Sequence, residues 1–266
     1  MIDLAAYFDR IGYDGPSEAS AQVLRDLHAL HIASIVFEDI DVQLDRGIDI
    51  APAAVDAKLI AARRGGYCYE QNGLFKRVLE ALGFEVEGLL GRVKWMLPAE
   101  PARGRTHMAL RVIIDGQAWL TDVGFGSALP NPIRFDIDTP QKTAHEDYRM
   151  ISVDRERRLE ALIAGTWEPV YQLSLEPQLD VDYVQPNWFS STHPTSNFRQ
   201  NLIIARTTPT TRYNLLNNRL TIREAGGEAE KRVLNAAELA QAARDLFGLP
   251  VEADWTPVFE RAAARE

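Results

Sequence analysis

Cys68 is the only cysteine of the 266-residue chain and the first candidate for covalent chemistry. It lies in the stretch 63–72, directly before a segment with helical periodicity whose apolar residues are Leu74, Phe75, Val78, Leu79 and Leu82. Gly83 follows where a helix usually ends, and Gly65 and Gly66 permit a tight entry. We therefore expect Cys68 in the first helical turn, where the helix dipole and unpaired backbone N–H groups favour a thiolate nucleophile. The alternative is that Cys68 is a small buried hydrophobe.

His107 and Asp122 are the candidate partners that would activate the Cys68 thiol. Asp115-Gly116 separates two apolar runs and predicts a two-residue hairpin between strands 106–114 and 117–125. The resulting register pairs Ile114 with Gln117, Ala109 with Asp122 and His107 with Gly124. His107 and Asp122 then share one face as diagonal neighbours, close enough for the carboxylate to orient the imidazole. The alternative is a surface histidine and a surface aspartate that only share a sheet face.

Composition narrows the class of protein. The chain has 46% hydrophobic and 25% charged residues and a net charge of -9, which is ordinary for a soluble globular protein. The negative charge argues against a nucleic-acid partner, because phosphate binding requires clustered Lys and Arg. No segment has the pattern of a signal peptide or a membrane span, so we expect no membrane partner. A single cysteine excludes an internal disulfide and fits a reducing cytoplasm.

The elements that position these residues change type along the chain. The apolar pattern up to Gly83 is helical, with a turn at 12–16 after which Ser17 and Glu18 start a second helix. Strand-like alternation begins at Phe84, in runs 84–90 and 91–96, and continues weakly to Leu175, with Tyr171 as a core residue. The segments 180–188 and 193–198 are predicted to be rich in loops. Short strands at 202–205 and 219–223 and a helix over 236–247 complete the chain.

His28 and His31 are three residues apart on the second predicted helix. This spacing is compatible with a metal site, but no other ligand is adjacent. We therefore predict hydrogen-bonded or solvated structural roles for both, and no metal.

The order Cys, His, Asp, with the thiol on a helix and its partners on strands, is that of papain-like and transglutaminase-like folds. The local residues resemble one family more closely, the arylamine N-acetyltransferases of bacterial type. The segment Arg63-Arg64-Gly65-Gly66-Tyr67-Cys68-Tyr69-Glu70-Gln71-Asn72 resembles its nucleophile motif. Further blocks in the same order are Tyr7 to Tyr13, Leu27-His28 with His31, Phe37-Glu38, Thr106-His107, Asp122 to Gly126 and Phe198 to Asn201. The resemblance runs from the first ten residues to about Ala205, and its triad blocks are more specific than its substrate-pocket positions.

The resemblance implies an α+β fold in three parts: a helical bundle over 1–83, an antiparallel β-barrel over 84–190 and an α/β lid over 191–266. It implies a Cys68, His107, Asp122 triad and ping-pong transfer from acetyl-coenzyme A, as co-substrate, through an acetyl thioester on Cys68. The acceptors would be aromatic amines, hydrazines and N-hydroxyarylamines, acetylated by a cytoplasmic enzyme of xenobiotic metabolism that is a monomer or a homodimer.

Site residues carried over by the resemblance fall into two groups. The acceptor site would be lined by Phe37, Val93, Phe125 and Phe198, each of which has plain core packing as its alternative. Gly126 would approach coenzyme A, because glycine allows a ligand close to the backbone. The family commonly has Pro before Phe-Glu-Asn-Leu, whereas this chain has Val36-Phe37-Glu38-Asp39-Ile40, which changes the expected shape of the acceptor pocket. An Arg64–Glu38 ion pair is expected beneath the site.

Three other functions are compatible with these residues. A cysteine peptidase or transglutaminase would use the same triad in an open groove. An amide synthase would close a ring from a tethered acyl chain without coenzyme A. A non-catalytic binding module would keep the fold alone.

Overall fold

The first part of the chain is helical. A computed structural model describes residues 1–98, 101–126 and 129–265. Its first five helices are α1 (Leu4–Ile11), α2 (Ala21–Ser34), α3 (Ile40–Gln43), α4 (Pro52–Asp56) and α5 (Cys68–Ala81), and α4 continues as a π-helical turn over Ala57–Ala61. The predicted start of the second helix at Ser17 is wrong: Ser20 caps α2, because its side chain accepts the N–H of Val23.

The middle of the chain is a seven-stranded antiparallel sheet. Its strands are β2 (Glu85–Val93), β3 (His107–Ile114), β4 (Gln117–Thr121), β5 (Ile133–Arg134), β6 (Tyr148–Val153), β7 (Glu156–Ile163) and β8 (Thr166–Ser174). The order is β5-β4-β3-β2-β8-β7-β6, and the edge strands β5 and β6 contact each other, so the sheet curls into a nearly closed barrel. The two strands predicted between 84 and 96 are one continuous strand, β2. Apolar side chains such as Leu89, Leu120 and Tyr171 fill the barrel.

The last part of the chain completes a second sheet. Its five strands are β1 (Phe37–Glu38), β9 (Ile203–Thr207), β10 (Thr211–Leu216), β11 (Arg219–Glu224) and β12 (Ala229–Val233), in the order β1-β9-β10-β11-β12. The helices α8 (Ala236–Asp245) and α9 (Thr256–Ala263) pack on this sheet around Trp255 and Phe259. Because β1 comes from the first third of the chain and pairs with β9, backbone hydrogen bonds join the first and last predicted units. The division at 83 and 190 stays a prediction.

The segment before this sheet differs from its prediction as loop. Residues Asp180–Tyr183 form a 3-10 turn that leads into α6 (Val184–Thr192), and α7 (Asn197–Gln200) follows. The local sequence is weakly helical, but the Tyr67 hydroxyl donates to the side-chain carbonyl of the buried Asn187 and thereby holds α6 against the first part of the chain. A tertiary contact therefore decides the structure of this segment. Among the described residues, no helix is long and apolar enough to cross a membrane.

Candidate active site

Cys68 is the first residue of α5 and is 3% exposed. A Cβ at Gly65 would lie 2.1 Å from the carbonyl oxygen of Val36, so only glycine allows the chain to pass there. Gly66 exchanges backbone hydrogen bonds with the segment of β1, and Glu70 reaches back to accept the N–H of Tyr67 at 3.0 Å. The predicted place of the thiol at a helix entrance is confirmed, and the entrance is held by backbone hydrogen bonds and a buried carboxylate.

His107 and Asp122 lie close together, as the predicted hairpin requires, but only His107 belongs to a strand of the sheet. The predicted register holds from Ile114 opposite Gln117 to Leu110 opposite Thr121, where β4 ends. His107 begins β3, Asp122 directly follows β4, and His107 Nε2 lies 2.7 Å from Asp122 Oδ2. Both side chains are buried, so the surface alternative is wrong.

Contacts of Asn72 explain why β4 ends at Thr121 and not at its predicted end, Phe125. Its side-chain amide nitrogen donates to Asp122 Oδ1 at 2.9 Å and to the Met108 carbonyl at 2.8 Å, while its oxygen accepts the N–H of Val123. Asp122 Oδ1 also accepts the N–H of Gly124 at 3.0 Å, which turns the chain away from β3. Asn72 was not among the predicted site residues. Its position four residues after Cys68, on the same helix face, is the signal that could have found it.

The His107 ring links the carboxylate to the thiol. Because Nε2 faces Asp122, Nδ1 is the ring nitrogen that remains available to the thiol of Cys68, whose Sγ lies 3.9 Å from the Thr106 carbonyl oxygen. Burial alone lowers the pKa of His107, but the charge and hydrogen bond of Asp122, with the Cys68 contact, outweigh it and raise that pKa from 6.5 to about 10. Burial alone would raise the pKa of Asp122, but His107, Asn72 and Gly124 hold it below its ordinary value. The arrangement therefore stabilises an imidazolium beside the Asp122 carboxylate.

This raised pKa makes stability depend on pH. The stabilisation from protonated His107 is fully present below pH 6.5 and is lost as pH rises through about 10. We expect the free energy of unfolding of the wild type to fall relative to that of His107→Asn between these values, measured by urea denaturation at pH 6, 8 and 10. His193→Asn, outside the site, should follow the wild-type profile. Parallel profiles for wild type and His107→Asn would contradict the assignment.

His28 and His31 support the site from behind. His28 Nε2 lies 3.2 Å from the backbone oxygen of Asp122, and burial lowers the pKa of His28 to about 4, so it is neutral. His31 lies between the Tyr7 hydroxyl at 2.8 Å and Gln71 at 2.7 Å. The hydrogen-bonded structural role predicted for both is confirmed. Within residues 1–98, 101–126 and 129–265, no group of three potential ligands has the arrangement of a metal site.

The aromatic residues predicted for the acceptor site fall into two places. Phe125 packs edge-on against the His107 ring with centroids 5.0 Å apart. Phe37 and Phe198 contact each other at 5.9 Å, and a Cβ at Gly126 (φ +90°) would lie 3.6 Å from Phe37 Cγ. Gly126 therefore lies against the Phe37 ring. The structure thus places Phe125 against His107, and it brings Phe37, Phe198 and Gly126 together at β1.

Val93 reaches the same region less directly. It ends β2 opposite Tyr171, whose ring packs on His107 with centroids 4.8 Å apart. Tyr171 is a core residue, as predicted, but it also contacts the site. Burial raises the pKa of the Tyr171 hydroxyl and the nearby Asp122 charge raises it further, so the group stays neutral.

A buried charge network lies beneath the entrance to α5. Arg64 contacts Glu38 Oε1 and Asp41 Oδ1, each at 2.8 Å, and Lys58 contacts Asp41 and Glu70, each at 2.8 Å. The predicted Arg64–Glu38 pair is present, within a larger network that the sequence did not indicate. Burial opposes charge on Asp41, yet Lys58 and Arg64 lower its pKa to about 2. The network connects β1, the π-helical turn and the first turn of α5.

The sequence and the fold of this chain are similar to those of known acetyltransferases. A sequence profile of the family described as N-acetyltransferase matches residues 20–256. An arylamine N-acetyltransferase of Escherichia coli is 40% identical over 250 residues, 92% of this chain and 88% of the relative. The solved M. smegmatis arylamine N-acetyl transferase has a TM-score of 0.95 at 37% identity and full coverage of both chains. The Mycobacterium marinum enzyme, solved in complex with CoA, has a TM-score of 0.92 at 38% identity, with 98% of each chain covered.

Proposed function

Because this chain belongs to the arylamine N-acetyltransferase family, we propose that it transfers the acetyl group of acetyl-coenzyme A to aromatic amines, hydrazines and N-hydroxyarylamines. The transfer proceeds in two half-reactions through an acetyl thioester on Cys68. The observation that carries the proposal is the buried 2.7 Å contact between His107 and Asp122, next to a thiol at a helix N-terminus. The free thiol fits a reducing compartment such as the cytoplasm.

In the first half-reaction the chain supplies the nucleophile and one proton. The Cys68 thiolate attacks the carbonyl carbon of acetyl-coenzyme A, and the coenzyme A thiolate leaves and takes the proton of the His107 imidazolium. The products are free coenzyme A, acetylated Cys68 and a neutral imidazole. Asp122 keeps the ring oriented throughout, because its carboxylate is fixed by Asn72 and Gly124.

In the second half-reaction the proton moves the other way. The acceptor amine attacks the thioester carbonyl, neutral His107 accepts the amine proton, and the Cys68 thiolate leaves. This step regenerates the thiolate and the imidazolium and releases the N-acetylated product. The oxyanion formed in each half-reaction needs hydrogen-bond donors. The Cys68 backbone N–H is one, because the first N–H groups of a helix have no acceptor inside it.

Acceptor selection belongs to the aromatic residues around the site. Phe37, Phe125 and Phe198 offer ring faces and edges that suit an aromatic amine, and Val93 adds apolar surface. Gly126 leaves room for coenzyme A to approach the backbone. The burial of Cys68 favours small substrates over a polypeptide, since a peptidase needs an open groove. The enzyme acts as a monomer or a homodimer.

Intact mass spectrometry tests the proposal directly. Incubation with acetyl-coenzyme A, without acceptor, should add one acetyl group to the wild type and none to Cys68→Ala, because Cys68 is the only cysteine. Addition of an aniline or an arylhydrazine should remove the adduct and yield the acetylated amine. Absence of any adduct across the pH range would contradict the proposal. A stable adduct that no amine removes would instead indicate an acyl acceptor other than an arylamine or an arylhydrazine.

A further inference from the structure

A cavity lies beside Phe125, whose ring also packs against the His107 ring. It has a volume of about 200 Å³ and lies between the barrel and the last sheet. Phe125, Trp95 and Tyr148 line it from the barrel side, and Arg212 and Arg223 line it from β10 and β11. Because Phe125 also packs on His107, the cavity shares a wall with the proposed active site.

Two arginines face each other across strands in this cavity. Arg212 on β10 is directly paired with Arg223 on β11, an arrangement that is unfavourable for like charges unless an anion lies between them. Glu146 supplies one carboxylate, which bonds Arg212 and lies 3.4 Å from Arg223 Nη1. In the described parts of the chain it is the only carboxylate in ion-pair range of either guanidinium. The cluster therefore keeps one excess positive charge in a chain of net charge -9.

Buried donors of this cluster lack acceptors. Arg212 is 7% exposed, and its Nε–H has no partner among the described residues. The Tyr148 hydroxyl accepts from Arg212 Nη2 at 3.1 Å and from the Leu129 N–H at 3.3 Å, which uses both lone pairs and leaves its own proton to donate. Unsatisfied buried donors beside excess positive charge are features of an anion site rather than of a structural ion pair.

We propose that this cavity binds an oxyanion group, a phosphate or a carboxylate, carried by one of the two substrates. Arg212 Nε, Arg223 and the Tyr148 hydroxyl donate to the oxyanion, and the rest of the substrate passes Phe125 toward Cys68. The choice of substrates rests on the proposed function: phosphate is carried by coenzyme A, and carboxylate by an acidic arylamine. Glu146 opposes binding of the oxyanion by its negative charge.

Direct binding measured by calorimetry tests the site without requiring turnover. The probes are coenzyme A against pantetheine, which lacks phosphate, and 4-aminobenzoate against its methyl ester. The variants are Arg223→Gln, whose side chain is 46% exposed, Arg212→Gln and Glu146→Gln. Arg232→Gln on the exposed strand β12 is the matched control for loss of one positive charge.

The expected results differ in sign between the variants. Each arginine substitution at the cavity should lower the affinity for the anionic probe of one pair about tenfold, which is the effect of losing one charge-assisted hydrogen bond. The affinity for the neutral probe of the same pair should not change. Glu146→Gln should tighten the same probe several-fold, which structural damage would not do. An effect on coenzyme A identifies phosphate as the group, and an effect on 4-aminobenzoate identifies carboxylate.

Three results would overturn the proposal: no effect on either anion, equal losses for anionic and neutral probes, or weaker anion binding in Glu146→Gln. An effect of Arg232→Gln as large as that of Arg223→Gln would do the same, since it would show a general charge effect. The intact-mass experiment on Cys68 tests the proposed function independently of these binding measurements. The anion site can therefore be refuted while the acetyl transfer is supported, and the reverse is also possible.

Discussion

Replacing Asp122 by Asn should lower kcat/KM for acetyl transfer on the order of 10³-fold or more. The substitution keeps the shape of the side chain but removes the charge that holds the His107 imidazolium. Without that charge, burial opposes the imidazolium with less compensation, and the pKa of His107 should fall from about 10 toward lower values. The thiol then has a less fully protonated partner at neutral pH. Steady-state kinetics with an arylamine measure the loss.

Asp115→Asn is the matched control for this prediction, because it makes the same change at the exposed turn of the same hairpin. Asp115 has φ +51°, a conformation that Asn tolerates, so activity should stay within about twofold of the wild type. Two further measurements distinguish loss of activation from loss of folding. Alkylation of Cys68 by iodoacetamide should slow in Asp122→Asn, and the imidazole titration, followed by NMR, should move to lower pH. Normal alkylation with lost activity would contradict the proposed role.

Replacing Arg64 by Gln should destabilise the protein by about 3–5 kcal/mol. Arg64 is 6% exposed and is the partner of both Glu38, which is 0% exposed, and Asp41. Its loss leaves a buried carboxylate without its closest cation, and it also removes the contact of the guanidinium with the Trp255 ring at 4.8 Å. Urea denaturation at pH 7 gives the change in the free energy of unfolding.

Arg63→Gln tests whether position or charge causes that loss. Arg63 is the neighbouring residue, but its side chain is 59% exposed and its partner Asp9 is 85% exposed, at 3.8 Å. Exposed pairs of this kind contribute little, so the change should stay below about 1 kcal/mol. A similar loss in the free energy of unfolding for the two variants would show that burial of the charge network beneath α5 does not cause the destabilisation.

Local signals predicted the parts of the site that depend on local structure. Two glycines before an apolar helical repeat placed Cys68 at a helix entrance, and Asp115-Gly116 set the register that brings His107 near Asp122. Both signals act over a few residues, where backbone preferences decide the conformation. The change of apolar period after Gly83 separated a helical part from a strand-rich part, and the resemblance to one family implied the α+β fold in three parts. The wider identification depended on the resemblance of several blocks to one family.

What the sequence did not predict depends on contacts between distant segments. The early end of β4 results from Asn72 on α5, and the helix α6 is held by Tyr67, 120 positions away. Such partners lie far apart along the chain, so composition and periodicity carry no information about them.

The pairing of β1 with β9 has a consequence for the order in which the enzyme matures on the ribosome. Phe37 and Glu38 are held by Ala205 and Ile204, more than 160 positions later, whereas Cys68, His107 and Asp122 are close in sequence. Contacts of such different sequence separation form at different times during synthesis. A nascent chain that ends before β9 contains Cys68, His107 and Asp122 but lacks the strand that pairs with Phe37. Under the proposed function, we therefore expect the thiol to become reactive before the chain can select its acceptor.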